Sequence, residues 1–286
     1  MKPFPVPVVA FGPGSQPEDE GLDYMTMPAG METYRPPSVP EPEELAGRRG
    51  AVRVLHEVLE ALRRAEAGEG AAPVVLRGLS AEELALVNQV LGEGDVSAQV
   101  QSVAGQGMVT VQESVFAGIW RVLETTADGV TQDRIEVGAI PTVLARAAQE
   151  DAVAPRPAPG PAPGAVMNAP ALLLELADAR ARWQPGDATH MVNLTLLPVT
   201  PEDIAWLDHV LGTGRVVILS RGYGNCRITN CAVANTWRLV YYNSQDKVIL
   251  NTVEVSGVPE VACAAPEDLH DSLDRLAEVL AWVDGG

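Results

Sequence analysis

Aromatic residues make up only 5% of this 286-residue chain, and it holds just three cysteines and four histidines. With so few aromatics, any sheet must be packed by Val, Ile and Leu. Cys226, Cys231 and Cys263 are an odd and sparse set, unlike the disulfide framework of a small secreted protein, so reduced thiols are expected. His56, His190, His209 and His270 form no pair at metal-ligand spacing. No stretch approaches the roughly 20 apolar residues of a membrane span. The start, Met1-Lys2-Pro3-Phe4-Pro5, is broken by proline where a signal peptide would run from a charged to an apolar region. A cytoplasmic protein is expected.

Positive charge is scarce too. Twenty Lys and Arg against 38 Asp and Glu give a net charge of -18 and a pI near 4.5. Such a balance repels phosphate backbones and anionic lipids and attracts basic partners. No Gly-x-Ser-x-Gly elbow is present, and the glycines of Gly12-Pro13-Gly14-Ser15 lack the Lys-Ser/Thr pair and helix of a phosphate loop. The residues therefore predict no catalytic set, no cofactor site and no metal site, and a binding protein rather than an enzyme.

What is present is 47% hydrophobic residues, enough for a substantial core. Residues 1–48 read as a Pro/Gly-rich acidic arm, 49–150 as a first folded unit, 151–166 as a Pro/Ala/Gly-rich linker and 167–286 as a second unit. The two units echo each other. Leu79-Ser80-Ala81-Glu82-Glu83-Leu84 and Leu91-Gly92-Glu93-Gly94 recur 120 residues on as Val199-Thr200-Pro201-Glu202-Asp203-Ile204 and Leu211-Gly212-Thr213-Gly214. Trp120-Arg121 matches Trp237-Arg238, and Ile135-Glu136-Val137 with Pro141 matches Val253-Glu254-Val255 with Pro259.

Ser80 and Thr200 are helix N-caps, with Glu83 completing a capping box in the first copy and Pro201 opening the helix in the second. Leu84, Val87 and Leu91, like Ile204, Leu207 and Leu211, fall at helical spacing, and a glycine ends each helix. β-rich runs follow: 96–100, 108–114, 119–125 and 130–137, then 216–219, 227–230, 236–242 and 247–255. A helix and short strand precede each capped helix (52–64 and 73–76; 171–182 and 191–196), and residues 266–283 carry one apolar stripe that needs a surface to pack on. The expected fold is α+β: two internally repeated units, each with helices packed on an antiparallel β-meander. Paired about a pseudo-twofold axis, they would frame a groove between two sheets or helices.

Several of these segments carry a family resemblance: Gly12-Pro13-Gly14-Ser15-Gln16-Pro17, Leu91-Gly92-Glu93-Gly94, Gly118-Ile119-Trp120-Arg121-Val122, Asn193-Leu194-Thr195, Gly222-Tyr223-Gly224-Asn225, Val258-Pro259-Glu260-Val261 and Ala264-Ala265-Pro266-Glu267-Asp268-Leu269. Through them the chain resembles the HupH/HyaF hydrogenase expression/formation proteins over nearly its whole length. The resemblance implies a chaperone or scaffold in maturing the iron–sulfur small subunit of a [NiFe] uptake hydrogenase, binding the small-subunit precursor. It also implies a thioredoxin-like accessory partner that engages that precursor and its twin-arginine signal peptide. It transfers no catalytic residues.

An iron–sulfur or metal carrier using Cys226, Cys231 and Cys263 between chains is the alternative. Five residues of extended chain would set the Cα atoms of Cys226 and Cys231 about 16 Å apart, with side chains on opposite faces. Trp120 and Trp237 are expected in the core, which sends Arg121 and Arg238 to the other face of each sheet, where they would mark exposed sheet faces. Arg121 and Arg238, together with the hairpin Gly222, Tyr223, Gly224 and Asn225, are the candidate partner contacts. A homodimer is left open.

Overall fold

The computed structural model describes residues 48–101, 107–129, 131–222 and 224–284. The arm expected over 1–48 lies outside them, except for Arg48. Among the described residues the fold is α+β, with six helices and ten strands in one antiparallel sheet. In chain order they are α1 (Arg49–Glu66), β1 (Val74–Val75), α2 (Ala81–Leu91), β2 (Val96–Gln101), β3 (Gly107–Glu113), β4 (Ile119–Thr126), β5 (Thr131–Val137) and α3 (Thr142–Val153). The second half follows with α4 (Ala169–Arg182), β6 (His190–Asn193), α5 (Pro201–Leu211), β7 (Thr213–Ser220), β8 (Asn225–Cys231), β9 (Thr236–Tyr242), β10 (Val248–Val255) and α6 (Pro266–Asp284).

The strand order is β1-β5-β4-β3-β2-β7-β8-β9-β10-β6. Each half is a four-strand meander with a short outer strand paired to its last member. The halves meet where β2 runs antiparallel to β7, in the register Val96↔Ser220, Ala98↔Ile218 and Val100↔Val216. The groove expected between two sheets is thereby corrected: the meanders join edge to edge into one sheet. Two apolar edges left open would be sites of aggregation, and pairing them continues a common core across the joint.

That core lies on one sheet face, where Val96, Ala98, Val100, Val111, Trp120, Val122, Val216, Ile218, Ile228, Trp237 and Leu239 are buried. It is roofed by Val143, Leu144 and Ala147 of α3, a helix the sequence reading did not assign. On the opposite face, α1, α2 and α6 cover the first half around Leu55, Leu62, Leu86, Ile119 and Ile135. There α4 and α5 cover the second half around Leu176, Leu207, Val192, Val253 and Val255. Two helices change sides of the molecule. First-half α3 packs on β7 and β8, while the apolar stripe of second-half α6 packs on α1.

Each half is pinned by one carboxylate that caps two helices. Glu83 accepts from Ser80 N (2.9 Å) in its own capping box and from Gly50 N (2.8 Å) at the start of α1. Asp203 accepts from Thr200 N (3.1 Å) and, at the start of α4, from Met167 N, Asn168 N and Ala169 N (2.8, 2.8 and 3.0 Å). Anions at two helix N-termini satisfy otherwise orphaned N–H groups and both dipoles. Asp203 is fully buried. Burial alone would raise its carboxyl, but the amides of Ala169, Thr200, Asn168 and Met167 outweigh that and bring its pKa down to about 2. Thr200-x-x-Asp203 is thus a second capping box, beyond the Pro201 start read from sequence.

Candidate functional site

The strand pleat puts Trp120 and Trp237 on the core face and the following arginines on the other, as expected. Both indoles are 1% exposed, and each donates to a backbone carbonyl just past the last strand of its meander, Gly138 O at 2.8 Å and Gly257 O at 3.0 Å. The arginines do not mark open sheet faces, however. Helices cover both faces, because one apolar layer on each side is what buries a sheet this wide.

Arg121 lies under α2. Its Nε and Nη2 grip Asp133 as a fork (3.0 and 2.6 Å), and its Nη1 donates to Asn88. Arg238 lies under α5, with Nη1 3.4 Å from Asp208 Oδ1 and only 12% of the side chain exposed. Burial raises the Asp208 carboxyl, and Arg238 offsets part of that.

The cysteines separate as the pleat predicts. Cys226 sits in the core-face cluster and Cys231 in the cluster under α4 and α5. Burial pushes both thiols up to about 12 and that of Cys263 to about 11. Cys263 Sγ lies 3.5 Å from Pro259 O as a donor. Cluster ligation needs thiolates, and these groups are protonated at neutral pH. Among the described residues no three His, Cys, Asp or Glu side chains converge as metal ligands, so the geometry gives the carrier reading no paired thiols.

The β7–β8 hairpin is exposed at Gly222 and Gly224, and Asn225 opens β8; Tyr223 lies outside the described residues. Arg221 N donates to Asp95 O (3.1 Å), tying the hairpin base to the entry of β2. Gly224 adopts a φ of 97°, which favours glycine. At the second-half end of the sheet, Met191, Leu196 and Ile249 are exposed along β6, its exit and β10. No described helix is long and apolar enough to cross a membrane.

Sequence reasoning missed Glu113, the last residue of β3. It is buried, receives Gly118 N at 3.4 Å and has no cation beside it; burial pushes its carboxyl up to about 7. A glutamate at an apolar strand end was the available signal. On the core face nearby, Arg134 bridges Glu124 (3.2 Å) and Glu136 (2.9 Å), while Glu136 caps α3 through Thr142 N and Oγ1 (3.1 and 3.0 Å).

Comparison with known proteins gives this architecture its relatives. The family model described as the C-terminal conserved region of the HupH hydrogenase expression protein matches residues 49–156 and again residues 166–283. The chain is 54% identical to the hydrogenase expression/formation protein HoxQ of Cupriavidus necator, over 99% of each chain. It is 46% identical to HupH of Rhodobacter capsulatus over 97% of each, and 32% identical to the hydrogenase-1 operon protein HyaF of Escherichia coli over 95% of each. With its full length aligned and its two halves each matching the family model, the chain belongs to the HupH family of hydrogenase expression/formation proteins and has a role in hydrogenase maturation.

Proposed function

We propose that the protein is a non-catalytic scaffold that holds the iron–sulfur small-subunit precursor of a [NiFe] uptake hydrogenase during assembly, together with a thioredoxin-like accessory protein. The observation that carries this reading is the relatedness over essentially the whole chain to proteins named for hydrogenase expression and formation. A precursor that keeps its signal peptide is a cytoplasmic species, so the protein would act there. Its charge of -18 favours a basic segment of the partner.

On this reading one folding unit is written twice, as residues 49–150 and 167–286, joined by the linker 151–166 and preceded by the arm 1–48. The support is the mirrored strand order about β2 and β7 and the paired carboxylate hubs Glu83 and Asp203. The partner contacts would be the exposed β7–β8 hairpin around Gly222 and Gly224 and the apolar rim of Met191, Leu196 and Ile249. Large exposed apolar residues beside a strand edge suit an incoming extended chain.

Affinity purification of the tagged protein from cells with and without the small-subunit gene tests this. The precursor is expected to co-purify, and Leu196→Asp with Ile249→Asp to reduce its yield while leaving the melting temperature unchanged. Recovery of the large subunit alone, or of neither subunit, would overturn the reading.

A further inference from the structure

All the buried side-chain nitrogens and oxygens without a hydrogen-bond partner among the described residues lie in the second half of the chain. They are Arg180 Nε, Trp183 Nε1, the Nε, Nη1 and Nη2 of Arg238, Asn251 Oδ1 and Ser256 Oγ. Six of these seven atoms can donate a hydrogen bond. They come from elements packed against one another. Arg180 and Trp183 are one turn apart at the end of α4, and Arg238 on β9 is in register with Val253 of β10, on the face that α4 and α5 cover.

Asn251 lies two residues before Val253 on that same face. Ser256 follows the strand, next to Gly257, where a side chain would meet the Trp183 ring at 3.3 Å. The charges of Arg238, Asp208, Arg180 and Arg156 all act on the Cys231 thiol, which sits among them. Arg156 is already committed, its Nη1 donating to Leu211 O (2.9 Å) and Ala232 O (3.1 Å). Arg238 meets one carboxylate, Asp208 at 3.4 Å, in a chain whose overall charge is strongly negative.

The first half shows what a closed version looks like. Arg121 has its carboxylate, Asp133, in a two-pronged grip. With the offset of 118 that aligns Ile135 with Val253, the residue in Asp133's place is neutral Asn251. A hidden guanidinium with its N–H groups unmet costs folding free energy. Its planar fork matches an oxyanion far better than single water molecules.

We propose that Arg238 and Arg180, with the Trp183 indole, form a binding site for a small oxyanion, a sulfate, phosphate or carboxylate, beneath α4 and α5. The anion supplies the negative charge that Asp133 supplies in the first half and that neutral Asn251 lacks here, and the half-buried Arg180 side chain near the end of α4 gives it a way in. The site is independent of the hydrogenase partner and stands or falls separately.

Thermal unfolding of the full chain tests it, with sodium sulfate exchanged for sodium chloride at constant ionic strength and sodium acetate as a parallel arm. Wild type should show a saturable rise of about 5 °C at about a hundredfold excess of anion over its Kd. Arg238→Gln should abolish the rise, and Arg180→Gln should weaken the midpoint about tenfold. Saturation by sulfate alone supports a tetrahedral ligand, and saturation by acetate as well supports a carboxylate. No rise, or a linear rise equal in wild type and variants, overturns the proposal. If Arg238→Gln does not fold, the Arg180→Gln comparison decides.

Discussion

Where the first half of the sheet meets its hidden arginines with carboxylates, the second half leaves Arg238 short. Arg121 has Asp133 and Asn88; Arg134 has Glu124 and Glu136; Glu136 in turn holds the start of α3. At the matching places stand Arg238 beside a single carboxylate, Thr252 in place of Arg134, and Glu254, whose carboxyl burial raises and the Thr252 hydroxyl only partly lowers. The backbone pattern is shared, so the difference lies in side chains. The sheet arginines of the first half are matched as folded, whereas the buried donors of Arg238 are matched by what they bind.

The sharpest way to break this comparison is at the twin hubs. Asp203→Ala removes an acceptor from four backbone amides in a dry site and should cost about 3–4 kcal/mol in chemical denaturation. Glu83→Ala, which frees two amides near solvent, should cost clearly less. With a folded pKa of about 2 against 3.8 unfolded, the Asp203 contribution is present above about pH 3.8 and is lost as pH falls through about 2.

Glu113 gives the opposite sign. Its carboxyl is raised from 4.5 to about 7, so the folded chain holds a proton that the unfolded chain has released between those values. Stability therefore falls as pH rises from about 4.5 to about 7 and is level above. Glu113→Gln should gain up to about 3 kcal/mol at pH 8 and almost nothing at pH 4.5, read from denaturant midpoints. Parallel wild-type and variant curves across that range would remove Glu113 as the cause.

Next comes the arginine pair. Arg121→Met strands the Asp133 carboxylate and should cost about 2 kcal/mol, whereas Arg238→Met leaves Asp208, whose carboxyl burial already raises, to take up a proton and also removes unmet donors, so it should cost less. Equal losses would mean that the two arginines are equally well satisfied. Smallest in effect is thiol labelling: with the thiols protonated and hidden, native protein at pH 7.5 should react with an alkylating agent far more slowly than unfolded protein. Cys263, the least covered, should react first.

Most strands and helices were legible because apolar residues at period two or near 3.6 carry over directly into buried faces, as in β9 and α6. Asn-Ser-Gln-Asp at 243–246 likewise forms the turn it predicts, with Asp246 at a φ of 56°. Helix α3 escaped notice because Val143, Leu144 and Ala147 are a thin apolar stripe running into a proline-rich segment, and its formation depends on the β7–β8 surface beneath it. The joining of two meanders into one sheet was hidden for a related reason, since which edges meet is decided by long-range pairing that no local pattern encodes. The helix cover over Arg121 and Arg238 is tertiary in the same sense. Asp203 was readable as Thr200-x-x-Asp203, but its reach to the start of α4 was not.

The stretch from Ala154 to Asn168 contributes no strand to the sheet, while Arg156 fastens its beginning to the end of α5. A cut between residues 158 and 164 would sever the chain without parting the halves, because the β2–β7 ladder and the two exchanged helices hold them independently of the peptide bond. Nicked protein should still migrate as one particle. Two separately synthesised pieces should find each other in solution, provided each is kept from aggregating through its exposed inner edge.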